Sequence, residues 1–142
     1  MEKHIEASHE AGRKFYQDFH DKGRIVMLNL LRFKSVADYS QLASLKPEKE
    51  ISGEEAYQLY MDYTEPLLNK AGSRVLFYGS SGSFLIGPEQ EKWDAVLLVE
   101  HESVAKFMAF AQDEVYLKTA GHRTAALEDS RLLPISELST TK

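Results

Sequence analysis

The stretch W-D-A-V-L-L-V-E, Trp93 to Glu100, decides how the chain is read. In an extended strand successive side chains point to opposite faces, so Trp93, Ala95, Leu97 and Val99 share one face and Val96 and Leu98 the other. Neither face is polar at its centre, and a strand of that kind is covered on both sides. Arg24 to Phe33, R-I-V-M-L-N-L-L-R-F, repeats the pattern. Ile25, Met27, Leu31 and Phe33 share one face; Val26, Leu28 and Leu30 share the other. Asn29 is the exception, on the face of Met27 and Leu31. A buried amide needs hydrogen-bond partners or bears the cost of desolvation. Asn29 is thus either a satisfied core residue or a pocket residue.

Around these two strands the remaining elements follow in order. His4 to Phe19 is predicted as a helix, with Ala11, Phe15 and Phe19 at i, i+4 spacing, and Asp21-Lys22-Gly23 ends it. His4 and His9 lack the i, i+4 spacing of a metal pair and read as solvated. His20 complements the dipole at the helix C-terminus. Lys34 to Ile51 is a long connection with a helical turn near Tyr39 to Leu45, either a plain insertion or a binding loop. Ser52-Gly53-Glu54-Glu55 forms a capping box. The helix after it carries Ala56, Leu59, Tyr60, Tyr63, Leu67 and Ala71 along one stripe, holds Pro66, and ends at Gly72. Tyr57, Tyr60 and Tyr63 cluster at its centre, with one phenol placed to face a cavity.

Arg74 to Tyr78 and Ser83 to Ile86 flank G-S-S-G and read as one long, broken strand. Ser103 caps a helix with Val104, Phe107, Met108, Phe110 and Ala111 inward, followed by a short helical piece from Asp113 to Thr119. Gly121-His122-Arg123 reads as a cationic pair in a turn. A last strand falls within Asp129 to Ile135, and residues 137–142 form a polar tail. His101 and Glu102 follow a strand end and are expected to face water, and Trp93 is expected to anchor a dimer edge.

The composition sets limits. The chain has 142 residues, 43% hydrophobic and 27% charged, as in one globular domain. A formal net charge of −5 argues against a surface that tracks phosphates, so no nucleic-acid partner is expected. With no cysteine, thiolate catalysis and cysteine-ligated metal are excluded. No apolar run reaches the ~20 residues of a membrane helix, and the N-terminus has no signal-peptide core. The expectation is a cytoplasmic protein with no membrane partner.

Apart from the first helix, the order is strand, helix, strand, strand, helix, strand. That is the ferredoxin-like split βαβ arrangement, an α+β fold with a four-stranded antiparallel sheet and its helices on one face. The other sheet face would be apolar too, which marks an interaction surface. A second copy related by a two-fold axis is the simplest cover; the N-terminal helix folded across that face is the competing one. The expected layout is an accessory helix in residues 1–22, a ferredoxin-like domain in 23–136, and the tail.

L-N-L-L-R-F, A-D-Y, S-G-E-E-A-Y-Q-L-Y, W-D-A-V-L-L-V-E with S-V-A-K-F, and Y-L-K-T-A-G-H-R-T-A-A-L-E-D-S-R-L-L-P resemble the family known as domain of unknown function 1330. The resemblance spans about residues 24 to 135. It implies the dimeric α/β-barrel superfamily, whose members pair sheets face to face. Those members include cofactor-free monooxygenases acting on quinols, lactone isomerases, haem-degrading enzymes and proteins of no known activity, so fold alone assigns no chemistry. A haem ligand would project from a helix, and His122 reads as a turn residue, so no cofactor is expected.

The candidate site is therefore built from single residues. His122 and Arg123 are placed to bind a ligand carboxylate or enolate, with His122 as a catalytic proton-transfer group. The structural alternative pairs Arg123 with Glu100, Glu128 or Asp129. Asn29, Tyr60 and Arg123 form the expected ligand-binding set. No metal signature is present. The functional expectation is a small-molecule-binding homodimer for a small hydrophobic or aromatic ligand, as a cofactor-free isomerase or monooxygenase on an aromatic or enolisable substrate. The alternative is a non-catalytic dimer, structural or stress-related, with a self-filled core.

Overall fold

In the computed structural model, which describes residues 2–139, strands β1 (Ile25–Phe33) and β3 (Ala95–His101) lie side by side in the middle of the sheet. β2 (Arg74–Ser80) flanks β3 and β4 (Leu127–Ile135) flanks β1, so the order is β2-β3-β1-β4, with every pairing antiparallel. Asn29 pairs with Leu97 and Leu28 with Leu98. On one face Ile25, Met27, Asn29, Leu31, Ala95, Leu97, Val99 and His101 are buried.

Four helices cover that face. They are α2 (Gly53–Lys70), α3 (Val104–Ala111), α4 (Glu114–Thr119) and α5 (Gly121–Ala126), and α2 packs most closely along α5. Each starts where local chemistry dictates. Ser52 and Glu55 close a capping box on α2, Ser103 caps α3, and the Asp113 carboxylate accepts from two main-chain N–H groups of α4. This element order and sheet order make the fold ferredoxin-like α+β.

Among the described residues the other face has no cover. Val26, Leu28, Leu30, Val96 and Leu98 are only half-buried. Phe77, opposite Leu98, is 60% exposed, and Leu133 and Ile135, opposite Leu28 and Val26, are also exposed. The N-terminal helix does not lie here. α1 (His9–Phe19) packs on the helix-bearing side, where Phe15 and Phe19 meet Ile25, Met27 and Val104, and Phe15 meets Phe107 edge-on with ring centres 5.6 Å apart.

Several expectations need correcting. The first helix begins at His9 rather than His4, because Ser8 is its N-cap and accepts from Ala11 N–H. Residues 2–8 run instead as an irregular strap along β4, held by His4 N–H on Asp129 (2.8 Å) and by Ser130 Oγ on the His4 carbonyl (2.6 Å). The buried stripe of α2 is Ala56, Tyr57, Tyr60, Met61, Thr64 and Leu68, leaving Tyr63 exposed.

Ser83 to Ile86 is not a strand. It has no partner to pair with, and Leu85 and Ile86 are 99% and 91% exposed. Gly121-His122-Arg123 opens helix α5 rather than forming a turn. Trp93 precedes β3, buried between the guanidinium groups of Arg32 and Arg131, each 5.0 Å from its ring. Of the polar tail, residues 140–142 lie outside the described residues.

One position in the capping box does more than start a helix. Gly53 donates its N–H to the Lys34 carbonyl (2.9 Å) at the point where α2 crosses the ends of β1 and α5. A methyl group there would sit 2.3 Å from the Lys34 carbonyl oxygen and 2.6 Å from that of Ala126. Both obstacles are backbone and cannot rotate aside. Gly53→Ala is expected to lower stability by about 3 kcal/mol, as overpacking does, in urea denaturation. An unchanged midpoint would show that the crossing is loose.

Candidate functional site

Between the sheet and its helices lies a cavity of about 220 Å³. Its floor is Met27 and Asn29 of β1 and Leu97, Val99 and His101 of β3. Its roof is Tyr60, Met61, Thr64 and Leu68 of α2, with Tyr116 and Arg123 at the side and the strap residues Ile5 to Ala7 across the mouth. Mostly apolar walls with a few converging polar groups are the usual form of a small-molecule site.

Three sequence-predicted residues meet here. Asn29, on the floor, turns its Nδ2 back to the Leu97 and Met27 carbonyls (3.2 and 3.4 Å). Tyr60 shares a 2.8 Å hydrogen bond with Tyr116 across the two hydroxyls. One of the two phenolic protons is used in that bond and the other remains for a ligand. Burial pushes the Tyr60 phenol well above its ordinary pKa of 10.0, so it keeps its proton.

Arg123 donates Nη1 to the Ile5 carbonyl of the strap (2.9 Å). Among the described residues no carboxylate lies within ion-pair distance of it. The expected acidic partners are taken elsewhere: Glu100 by Arg24 and Arg74, Glu128 by Lys3, and Asp129 by Arg131.

His122 is not part of this cavity. Consecutive helical residues point about 100° apart, so α5 sends Arg123 inward and His122 outward, under the 34–51 connection. There His122 is buried, its Nδ1 2.7 Å from the Tyr39 hydroxyl and its ring stacked on Tyr63, 5.7 Å away at 4°. Burial lowers its pKa below the ordinary 6.5. His122 and Arg123 therefore do not act as one cationic pair.

Sequence reasoning missed His101, Ser73 and Thr64. His101 is 3% exposed rather than facing water, its Nδ1 2.8 Å from Ser73 Oγ and its ring against Phe107 and Phe110. The signal was present: His101 continues the period-2 face of Ala95, Leu97 and Val99. The Thr64 hydroxyl is buried in the roof with no hydrogen-bond partner among the described residues. No group of three or more His, Asp or Glu placed to hold a metal occurs among the described residues.

A larger groove of about 700 Å³ runs from β2 to the start of α2. It opens widely to solvent, and Lys34, Glu55 and Asp94 in its wall already bond main-chain groups. The enclosed cavity is the stronger site.

With this geometry established, comparison places the chain. Residues 47–135 match the family described as Domain of unknown function (DUF1330). The chain belongs to the DUF1330 family. A solved protein of unknown function from Rhodopseudomonas palustris, RPA0582, is 36% identical over 97% of this chain and 99% of its own, with a TM-score of 0.84. Two more distant structures share the fold. A hydroxynitrile lyase from Passiflora edulis is 16% identical over 85% of this chain and 99% of its own, with a TM-score of 0.54. A dimeric ferredoxin-like protein of unknown function from Jannaschia sp. CCS1 is 9% identical over 81% and 100%, also with a TM-score of 0.54. No curated protein matches the sequence. Among the described residues no helix is long and apolar enough to cross a membrane.

The buried histidine of this DUF1330 protein makes a pH prediction. Burial pushes His101 down to about 4 from its ordinary 6.5, so the folded chain holds it neutral while the unfolded chain protonates it. Stability from this group is complete above pH 6.5 and is lost as pH falls toward 4, by about 3 kcal/mol. His122 shifts the same way. Urea melts between pH 7 and 4.5 should show the decline, and His101→Gln should flatten part of it. An unchanged slope in that variant would place the acid sensitivity elsewhere.

Proposed function

We propose that this DUF1330 protein is a homodimer that binds a compact aromatic or enolisable carboxylate in the cavity between sheet and helices. The observation that carries the reading is Arg123: a guanidinium in a largely apolar cavity, bonded to a neutral carbonyl and without an acidic partner among the described residues. A half-buried guanidinium without a counter-ion is only partly solvated, and a ligand carboxylate would satisfy it with charge-assisted hydrogen bonds. Asn29, the Tyr60–Tyr116 pair and the unpartnered Thr64 hydroxyl supply further polar contacts.

Volume limits the ligand. A cavity of about 150 Å³ admits a benzene ring, so 220 Å³ suits one ring with a small substituent. The accessory segment 1–22 acquires a role in this proposal, since its strap closes the mouth. If the protein is catalytic, the donors around the cavity serve an enolate oxygen, which fits cofactor-free isomerase or monooxygenase chemistry on such a substrate. The Passiflora edulis lyase shares the fold alone, and its reaction is not carried over. A non-catalytic dimer with a self-filled core is the weaker reading, because the interior keeps this open space.

Titration with benzoate tests the site. Arg123→Met should weaken its binding at least about thirtyfold, the effect of ~2 kcal/mol lost from an enclosed charge pair. No measurable binding to the parent protein, or equal binding to both, would overturn the assignment.

Dimerisation is supported by the uncovered apolar face, by α1 lying on the opposite side, and by dimeric proteins that share the fold. Light scattering at micromolar concentration should give about twice the 16.1 kDa chain mass. Leu98→Lys, which places a charge at the centre of the open face, should give a folded monomer. A parent protein of single-chain mass would remove the dimer.

A further inference from the structure

His101 lies on the cavity floor, is hydrogen-bonded to Ser73, which does not line the cavity, and has no part in carboxylate binding. Ser73 is buried, and among the described residues the only partner of its hydroxyl is His101 Nδ1, at 2.8 Å. A buried hydroxyl that accepts and does not donate leaves its proton unsatisfied. Ser73 therefore donates, Nδ1 accepts, and in a neutral imidazole the ring proton must sit on Nε2. That atom has no hydrogen bond among the described residues, and Phe107, edge-on with ring centres 5.0 Å apart, restrains the ring at the cavity wall.

We infer that His101, fixed by Ser73, is a second recognition group of the cavity, a neutral Nε2–H donor for a carbonyl oxygen, and that the ligand class is an oxo-carboxylate. The inference rests on the carboxylate reading of Arg123 and sharpens it. A plain carboxylate would satisfy Arg123 and leave the His101 donor idle. A ligand carrying both a ketone and a carboxylate satisfies both, since His101 and Arg123 line the same cavity. The neutrality of the ring agrees with its burial, which keeps it unprotonated above about pH 4. A neutral imidazole donor polarises a carbonyl without placing a second cation beside Arg123.

Two probes that differ by one carbonyl, benzoate and benzoylformate, separate the claims. Benzoylformate should bind the parent protein about tenfold more tightly, the value of one added hydrogen bond. His101→Phe should erase that difference while benzoate binding persists. Should that variant fail to fold, ring ¹H–¹⁵N correlation spectra of the unmodified protein test the same point and should show the Nε2–H tautomer at neutral pH. Equal binding of the two probes, or an Nδ1–H tautomer, would overturn the inference and leave the carboxylate site standing. Binding of neither probe would remove both.

Discussion

Two central strands that are apolar on both faces impose the main constraint on this molecule. Each face removed from water contributes roughly 25 cal/mol per Å² of apolar surface, so neither is left bare without loss. The helices meet the demand on one side, where Ile25, Leu31 and Leu127 are fully enclosed. Val26, Leu28, Leu30, Val96 and Leu98 wait on the other. The cavity exists because the covered side is not filled completely. At its centre stand Asn29 and His101, polar residues in positions that alternation reserves for aliphatic ones.

The polar groups in that interior fall into two kinds. Some atoms are already engaged, such as Asn29 Nδ2 on two carbonyls and His101 Nδ1 on Ser73. Others are left open among the described residues, namely Arg123 without an anion and Thr64 without a hydrogen-bond partner. Closed groups fix geometry, and open ones are where a ligand would find its affinity under the proposed reading. A core built for stability alone would carry leucine or methionine at Thr64 and Arg123.

What could be read from the residues depended on whether the cause was local. Ser52 and Glu55, three residues apart, announce a helix start, and the alternation in β1 and β3 announces buried strands, as the structure has them. The 83–86 stretch failed for the opposite reason, since its apolar side chains suit a strand but no neighbouring strand is there to pair with it. In the site, Asn29 was legible as a polar break in an apolar face, and Tyr60 and Arg123 as side chains suited to ligand contact. His101 was not. Its burial comes from Phe107 and Phe110 of a helix that folds back over the strand end, a contact that no local window contains. Likewise Ser8, which ends the strap and starts α1, was within reach as a capping residue but was overrun by helical spacing further along.

The two outer strands show how assembly is channelled. On β2 the register breaks between Val75 and Phe77, so its outer rim is irregular where an added strand would need a straight ladder. On β4, Pro134 removes an amide donor, and the strap of residues 2–8 lies along the strand through Asp129 and Ser130. Both rims of the sheet are thus poor templates for lateral growth. An aggregate that extends the sheet strand by strand meets an obstacle at each rim, which leaves the broad apolar face as the surface for the proposed pairing of two copies.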